Sequence, residues 1–150
     1  MQIILYEHTG AIESIVMGAM LRGEIITEVY PGNKSICSIK HFAARQPKAG
    51  HPIYLGEDKR GHEYFAVAVG NERWLAPKAI RSILELYNFP QQNILLIDAQ
   101  KYSNYWIKIG GIIAVNFRFK TLGLPLVLWG LHKNFPALKR YIDQIEFSLA

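Results

Sequence analysis

Seven residues of this chain are of types that hold a ligand at the end of a sheet: His8, Thr9, Gly10 and Ser14 near its start, and Asp98, His132 and Lys133 further on. The first four surround a polar turn, Glu7-His8-Thr9-Gly10. Ahead of it runs Ile3-Ile4-Leu5-Tyr6, and behind it Ile12, Ile15, Val16, Ala19 and Met20 recur at three- and four-residue spacing. That pattern is a strand, a turn and a helix, and in open α/β folds such a turn lies on the ligand-binding edge. Amides at a helix start point outward toward negative charge, so Thr9, Gly10 and Ser14 are the candidate anion donors. The turn lacks the paired glycines, lysine and Ser/Thr of a P-loop, and Glu7 and Glu13 would oppose a phosphate. Glu13 itself reads as a complement to the helix dipole. His8 and His132 each follow a run that reads as a parallel strand and would converge with Asp98 on one edge. Together with Lys101 or Lys133 they would suit general acid–base work or a single metal ion. Their separations carry no metal-ligand spacing, so no metal is assigned, and no cofactor is indicated.

The elements that must position these residues alternate. Arg22-Gly23 closes the first helix, as a cation and a glycine do at helix C-termini. A short strand is predicted over Glu24–Tyr30 and a helix over Ser35–Arg45, stopped before Gln46-Pro47. Pro52–Leu55 and Tyr64–Val69, around a polar loop with glycines at both ends, predict a β-hairpin insert. Pro77 opens a helix bearing Ile80, Ile83, Leu84 and Tyr87, ended by Asn88 and Pro90. Asn93–Ile97, running into Asp98, predicts a strand buried on both faces. Tyr102–Phe119 predicts a helix in which Gly110-Gly111 either permits close packing or marks a break. Leu124–Trp129 predicts another buried strand, and a last helix starts near Phe135. Alternation of this kind implies a three-layer α/β/α sandwich, a single domain over 1–150, with a mainly parallel sheet of about five or six strands.

Half of the 150 residues are apolar and 19% are charged, enough for a packed core. The apolar stretches are too short to span a bilayer, and no basic region precedes the first, which implies a soluble, cytoplasmic protein. The net charge of +5 comes from 17 lysines and arginines spread along the chain rather than clustered, so nucleic acid is not the expected partner. A single cysteine, Cys37, excludes an internal disulfide and has no base nearby in sequence. Trp74, Trp106 and Trp129 suit a groove or a subunit interface, although aromatic residues belong more ordinarily to the core. His41, His51 and His62 receive no role.

Gly56-Glu57-Asp58 with Gly61, Gly110-Gly111, Leu122-Gly123, and Trp129-Gly130 with Pro136 beyond, behind the opening strand and turn, resemble an uncharacterised bacterial domain-of-unknown-function family from spore-forming Gram-positive bacteria. The resemblance runs nearly the whole length. It implies a first turn with a His-Cys pair, a double glycine and a further histidine ahead of a serine. The matching positions here are Tyr6, Glu7, Thr9-Gly10, Ile12 and Ser14, so only Gly10 and Ser14 keep the pattern. The expectation is therefore a non-catalytic or catalytically degenerate domain of unknown function that acts by binding protein, as a homo-oligomer or with a relative. The alternative is a small phosphate- or nucleotide-binding protein or enzyme, with its site at the first turn and the C-terminal strand ends.

Overall fold

A computed structural model describes residues 1–8, 10–25, 27–44 and 49–150, with the backbone alone at 115 and 116. Strand β1 (Gln2–Glu7) alternates strictly, burying Ile3, Leu5 and Glu7 on one face. Helix α1 (Ile12–Leu21) follows and is buried all round, as a helix without a polar face must be. Its Gly18 leaves room for Leu55, whose Cδ1 would lie 2.4 Å from an added Cβ. Gly23, at φ +68°, turns the chain out of the helix.

The next stretch departs from expectation. No described residue of 24–30 is in a strand, and α2 (Asn33–Ser38) is a short helix carrying the exposed Cys37. His41 and Ala43 adopt left-handed backbone angles, φ +69° and +50°, which a continuing helix cannot accommodate. Arg45 to Pro47, where that helix was expected to stop, lie outside the described residues.

Strand β2 (Pro52–Glu57) runs antiparallel to β3 (Glu63–Ala68), with a register shift between Tyr54 and Gly56. Helix α3 (Ala76–Leu86) has Pro77 in its first turn, and the chain turns away at Asn88, φ +52°. Strand β4 (Ile94–Asp98) completes a four-stranded sheet of order β2-β3-β1-β4, in which β1 is parallel to both β3 and β4. Among the described residues the sheet thus has fewer strands than expected. At its edge β4 has a single neighbour, and only Ile97 is buried, not the whole run.

The largest correction is at the C-terminal end. Leu124–Trp129 is no strand, and no separate helix starts at Phe135. Both belong to α5 (Lys120–Leu149), a helix of 30 residues with Pro125 and Pro136 inside it. Its buried residues, among them Val127, Leu131, Phe135, Leu138, Ile142 and Ile145, keep helical spacing throughout. The helix expected over Tyr102–Phe119 is instead α4 (Tyr105–Gly111) running into a π-helical turn, Ile112–Asn116. Glycines explain the pairing of α4 with α5. A Cβ on Gly123 would lie 2.3 Å from the Ala114 amide nitrogen, and one on Gly110 would lie 2.7 Å from that of Val127. Asn104 ties the pair at its other end, accepting from the Ile107 amide and donating to the Gly130 carbonyl at 2.8 Å. Gly110 therefore serves close packing, and the helix changes its winding just beyond Gly111.

Residues from β1, β3, β4, α1 and α5 share one core, with Ile3, Leu5, Tyr64, Ile15, Met17 and Ile142 fully enclosed. No helix among the described residues is long and apolar enough to cross a membrane.

Candidate functional site

The carboxyl end of β1 is pinned from both sides. The Ala99 amide, just after β4, donates to the Tyr6 carbonyl at 2.9 Å. On the other side the Val69 and Gly70 amides, just after β3, donate to the Glu7 and His8 carbonyls at 2.8 Å each. The chain leaves β1 toward β3 and later crosses back to β4, so β1 stands where the strand order reverses. Crevices beyond the carboxyl ends of strands at such a point are the usual ligand sites of open α/β sheets.

A cavity of about 450 Å³ lies there. His8, Glu13 and Gln100 come from the first turn, α1 and the segment after β4. Asn71, Arg73 and Trp74 come from the segment after β3. Ile107, Lys108, Gly111 and Ile112 come from α4 and the π turn, and Ile12 completes the apolar wall. Gln100 is the organiser. Its side-chain oxygen accepts from the His8 amide at 3.0 Å, and its side-chain nitrogen donates to Glu13 Oε2 at 3.0 Å. Asp98 holds Gln100 by its backbone amide, at 2.9 Å, and pairs with Arg73 Nη1 at 3.2 Å. His8 Nε2 and Asn71 Oδ1 are hydrogen-bonded across the cavity.

Two carboxyls lie beneath. Glu7 is fully buried: Ser14 Oγ donates to its Oε1 at 3.1 Å, and the Glu13 amide donates to its Oε2 at 3.2 Å. Burial, reinforced by the nearby Glu13 charge, holds the Glu7 carboxyl well above the usual range despite the Ser14 bond. Glu13 is 3% exposed and is pushed up to about 7 by burial, which hydrogen bonds from Ser103 and Gln100 and the charge of Lys108 only partly offset. Removal from water thus outweighs the helix dipole that the sequence suggested would govern Glu13. The turn is strained as well: Ala11, ahead of α1, has φ +46°, a left-handed angle costing on the order of 1–3 kcal/mol for a residue with a side chain.

The expected site residues divide accordingly. His8 lines the cavity and Asp98 braces it. Gly10 supplies a positive-φ turn, at +86°, and Thr9 lies outside the described residues. Ser14 faces inward to Glu7, which also takes the Glu13 amide, so the first turn of α1 is occupied by the chain's own carboxyl. His132 and Lys133 are not at a strand end, because the run before them is helical. The His132 ring packs on Tyr30 with centroids 4.5 Å apart, and Lys133 Nζ sits 4.6 Å above the Trp129 ring. Lys101 likewise lies over Tyr102 and Tyr141. The three tryptophans are outside the core: Trp74 borders the cavity, and Trp106 packs edge-on to Trp129.

Sequence reasoning passed over Gln100, Arg73 and Lys108, and read Glu7 and Glu13 as opposing an anion and Trp74 as lining a groove or interface without placing any of the three in the site. Two of these carried a signal. Glu7 falls on the apolar face of an alternating strand, and Glu13, with Ser14, interrupts a helix that is otherwise apolar. No group of three or more His, Cys, Asp and Glu among the described residues could hold a metal ion.

A family model described as "Protein of unknown function (DUF3189)" matches residues 2–146, and the chain belongs to that family. No curated protein and no solved structure matches it.

Proposed function

We propose that this DUF3189 protein binds a small organic anion in the cavity beyond β1 and β4, with Glu13 able to exchange a proton with it. The observation that carries the reading is the meeting, in one cavity at the reversal of strand order, of two cations, Arg73 and Lys108, with a buried carboxyl whose affinity for protons lies near neutrality. The anionic group lies against Arg73 and Lys108. It does not sit on the α1 amides, since Glu7 already takes one of them. An apolar body rests on Ile12, Ile107, Ile112 and Trp74. His8 and Asn71 complete the polar rim, and Asp98 fixes the Arg73 fork from behind. Relative to the first turn that the family resemblance implies, Glu7 and Ser14 satisfy each other, which fits loss of histidine–cysteine chemistry there.

The test is thermal stability against a panel of aryl and alkyl carboxylates and phosphate monoesters. A binder present at about one hundred times its dissociation constant stabilises the fold by roughly 2.7 kcal/mol. Arg73→Ala and Lys108→Ala each abolish most of that shift while leaving the unliganded melting temperature within a few degrees. A silent panel, or binding indifferent to both variants, removes the reading.

A second reading, action through protein–protein association, is favoured by one observation: no residue of α3 is buried.

A further inference from the structure

Helix α3 is amphipathic in sequence and bare in structure. Ile80 and Leu84 rest half-buried on the domain. The adjoining stripe of Leu75, Ala79, Ser82, Ile83 and Leu86 does not, and Leu75, Ile83 and Leu86 are 42%, 55% and 76% exposed. Residues three and four apart share a helix face, so these five form one continuous strip. A helix of a folded domain normally turns such a strip to a core, and a contiguous exposed one marks an interaction surface.

We propose that this strip docks on the same strip of a second copy of the chain, the two α3 helices running antiparallel about a two-fold axis near Ser82. The charges select that occupant. Lys78 and Glu85 lie on one edge of the strip, on either side of its middle. A two-fold axis there sets Lys78 of each copy beside the partner's Glu85, forming two ion pairs. Small residues, Ala79 and Ser82, occupy the crossing point and let the helices approach closely. Both charges are now engaged locally and at the surface: Lys78 lies over the Trp74 ring, 5.7 Å from its centroid, and Glu85 accepts from Gln91 Nε2 at 3.0 Å. Neither contact buries them. Arg81, three residues from Lys78 and four from Glu85, lies on that same edge.

Sedimentation velocity over about 1–100 µM protein tests this. The expected result is a monomer–dimer equilibrium within that range. Ile83→Lys and Leu86→Lys each weaken it at least about tenfold, with the circular dichroism and melting temperature of the monomer retained, since both side chains are exposed. Lys78→Glu weakens it by roughly five- to thirtyfold, two ion pairs being converted to repulsions, and the double variant Lys78→Glu/Glu85→Lys restores it. A monomer throughout the range, a dimer indifferent to Ile83→Lys and Leu86→Lys, or a charge swap that fails to restore association overturns the proposal. The first of these outcomes would leave the strip to a different protein.

Discussion

The two ends of the sheet carry carboxyls in opposite states. At the carboxyl end of β1, Glu7 and Glu13 lie close together with few donors, and both bind protons more tightly than a carboxyl in water. At the other end, in the connection from β2 to β3, Asp58 is only partly buried, and four donors converge on it. The Arg60 and His62 amides reach Oδ1 at 2.8 and 2.9 Å, and the His62 ring and the Tyr64 hydroxyl reach Oδ2 at 3.1 Å each. Burial alone would raise its affinity for protons, but the hydrogen bonds and the neighbouring His62 reverse the sign and hold the Asp58 carboxyl below its ordinary value. The same functional group is spent on structure where donors saturate it and left poised where they do not. Deeper burial with fewer donors at one end, and partial burial with four donors at the other, separate the end of the sheet that holds the proposed site from the end that holds a turn together.

The contrast can be broken most directly at Asp58. Asp58→Ala strands four donors, one of them on Tyr64, which is 1% exposed, and is expected to cost about 3 kcal/mol by urea denaturation. Asp58→Asn keeps an acceptor for the two amides and loses the ring and hydroxyl bonds, so it costs roughly half as much. Equal losses in the two variants would mean that the amide bonds contribute nothing.

A smaller effect sharpens the contrast through pH. Glu13 has a folded value, about 7, above its ordinary 4.5, so the folded protein holds a proton that the unfolded chain has released. Its contribution is fully present below about pH 4.5 and is lost as pH rises through 7; Glu7 acts in the same direction. Asp58 has the opposite sign: its contribution is present above its ordinary 3.8 and is lost as pH falls through the lower folded value. The two ends together set a stability maximum near pH 4 to 5, on the acid side of the usual range. Glu13→Gln is expected to leave stability at pH 4 unchanged and to raise it at pH 8. A midpoint that climbs steadily from pH 4 to pH 8 in the wild type would contradict this ordering.

Much of this arrangement was legible in the residues, and the failures have physical causes. Alternation in β1 marks Ile3, Leu5 and Glu7 as one face, and the helical period with a first-turn proline marks α3. Leu124–Trp129 misleads because a short apolar run has no period of its own, and Pro125 argues against a helix that packing against Gly110 nevertheless holds together. His132 and Lys133 were then assigned to a sheet edge that they never reach. Glu24–Tyr30 has strand composition, but no described strand of the sheet pairs with it. Arg73 and Lys108 could not have been found from spacing, because they meet only through the crossover to β4 and the docking of α4. The cavity as a place was foreseeable; its two cations were not.

The close fit of α4 to α5 also bears on the order in which the molecule assembles. The Asn104–Gly130 bond closes a loop of 26 residues, whereas Gln2 meets Glu63 across 61 and His8 meets Gln100 across 92. Loop-closure entropy favours the shorter connection, so the helical pair, whose 30-residue member is about 45 Å long, is expected to form first. In pulse-labelled hydrogen exchange during refolding, amides of α4 and α5 should gain protection before those of β1; simultaneous protection would refute that order. The strand whose carboxyl end borders the cavity would then be among the last parts to settle, laid against a scaffold that the C-terminal third of the chain has already built.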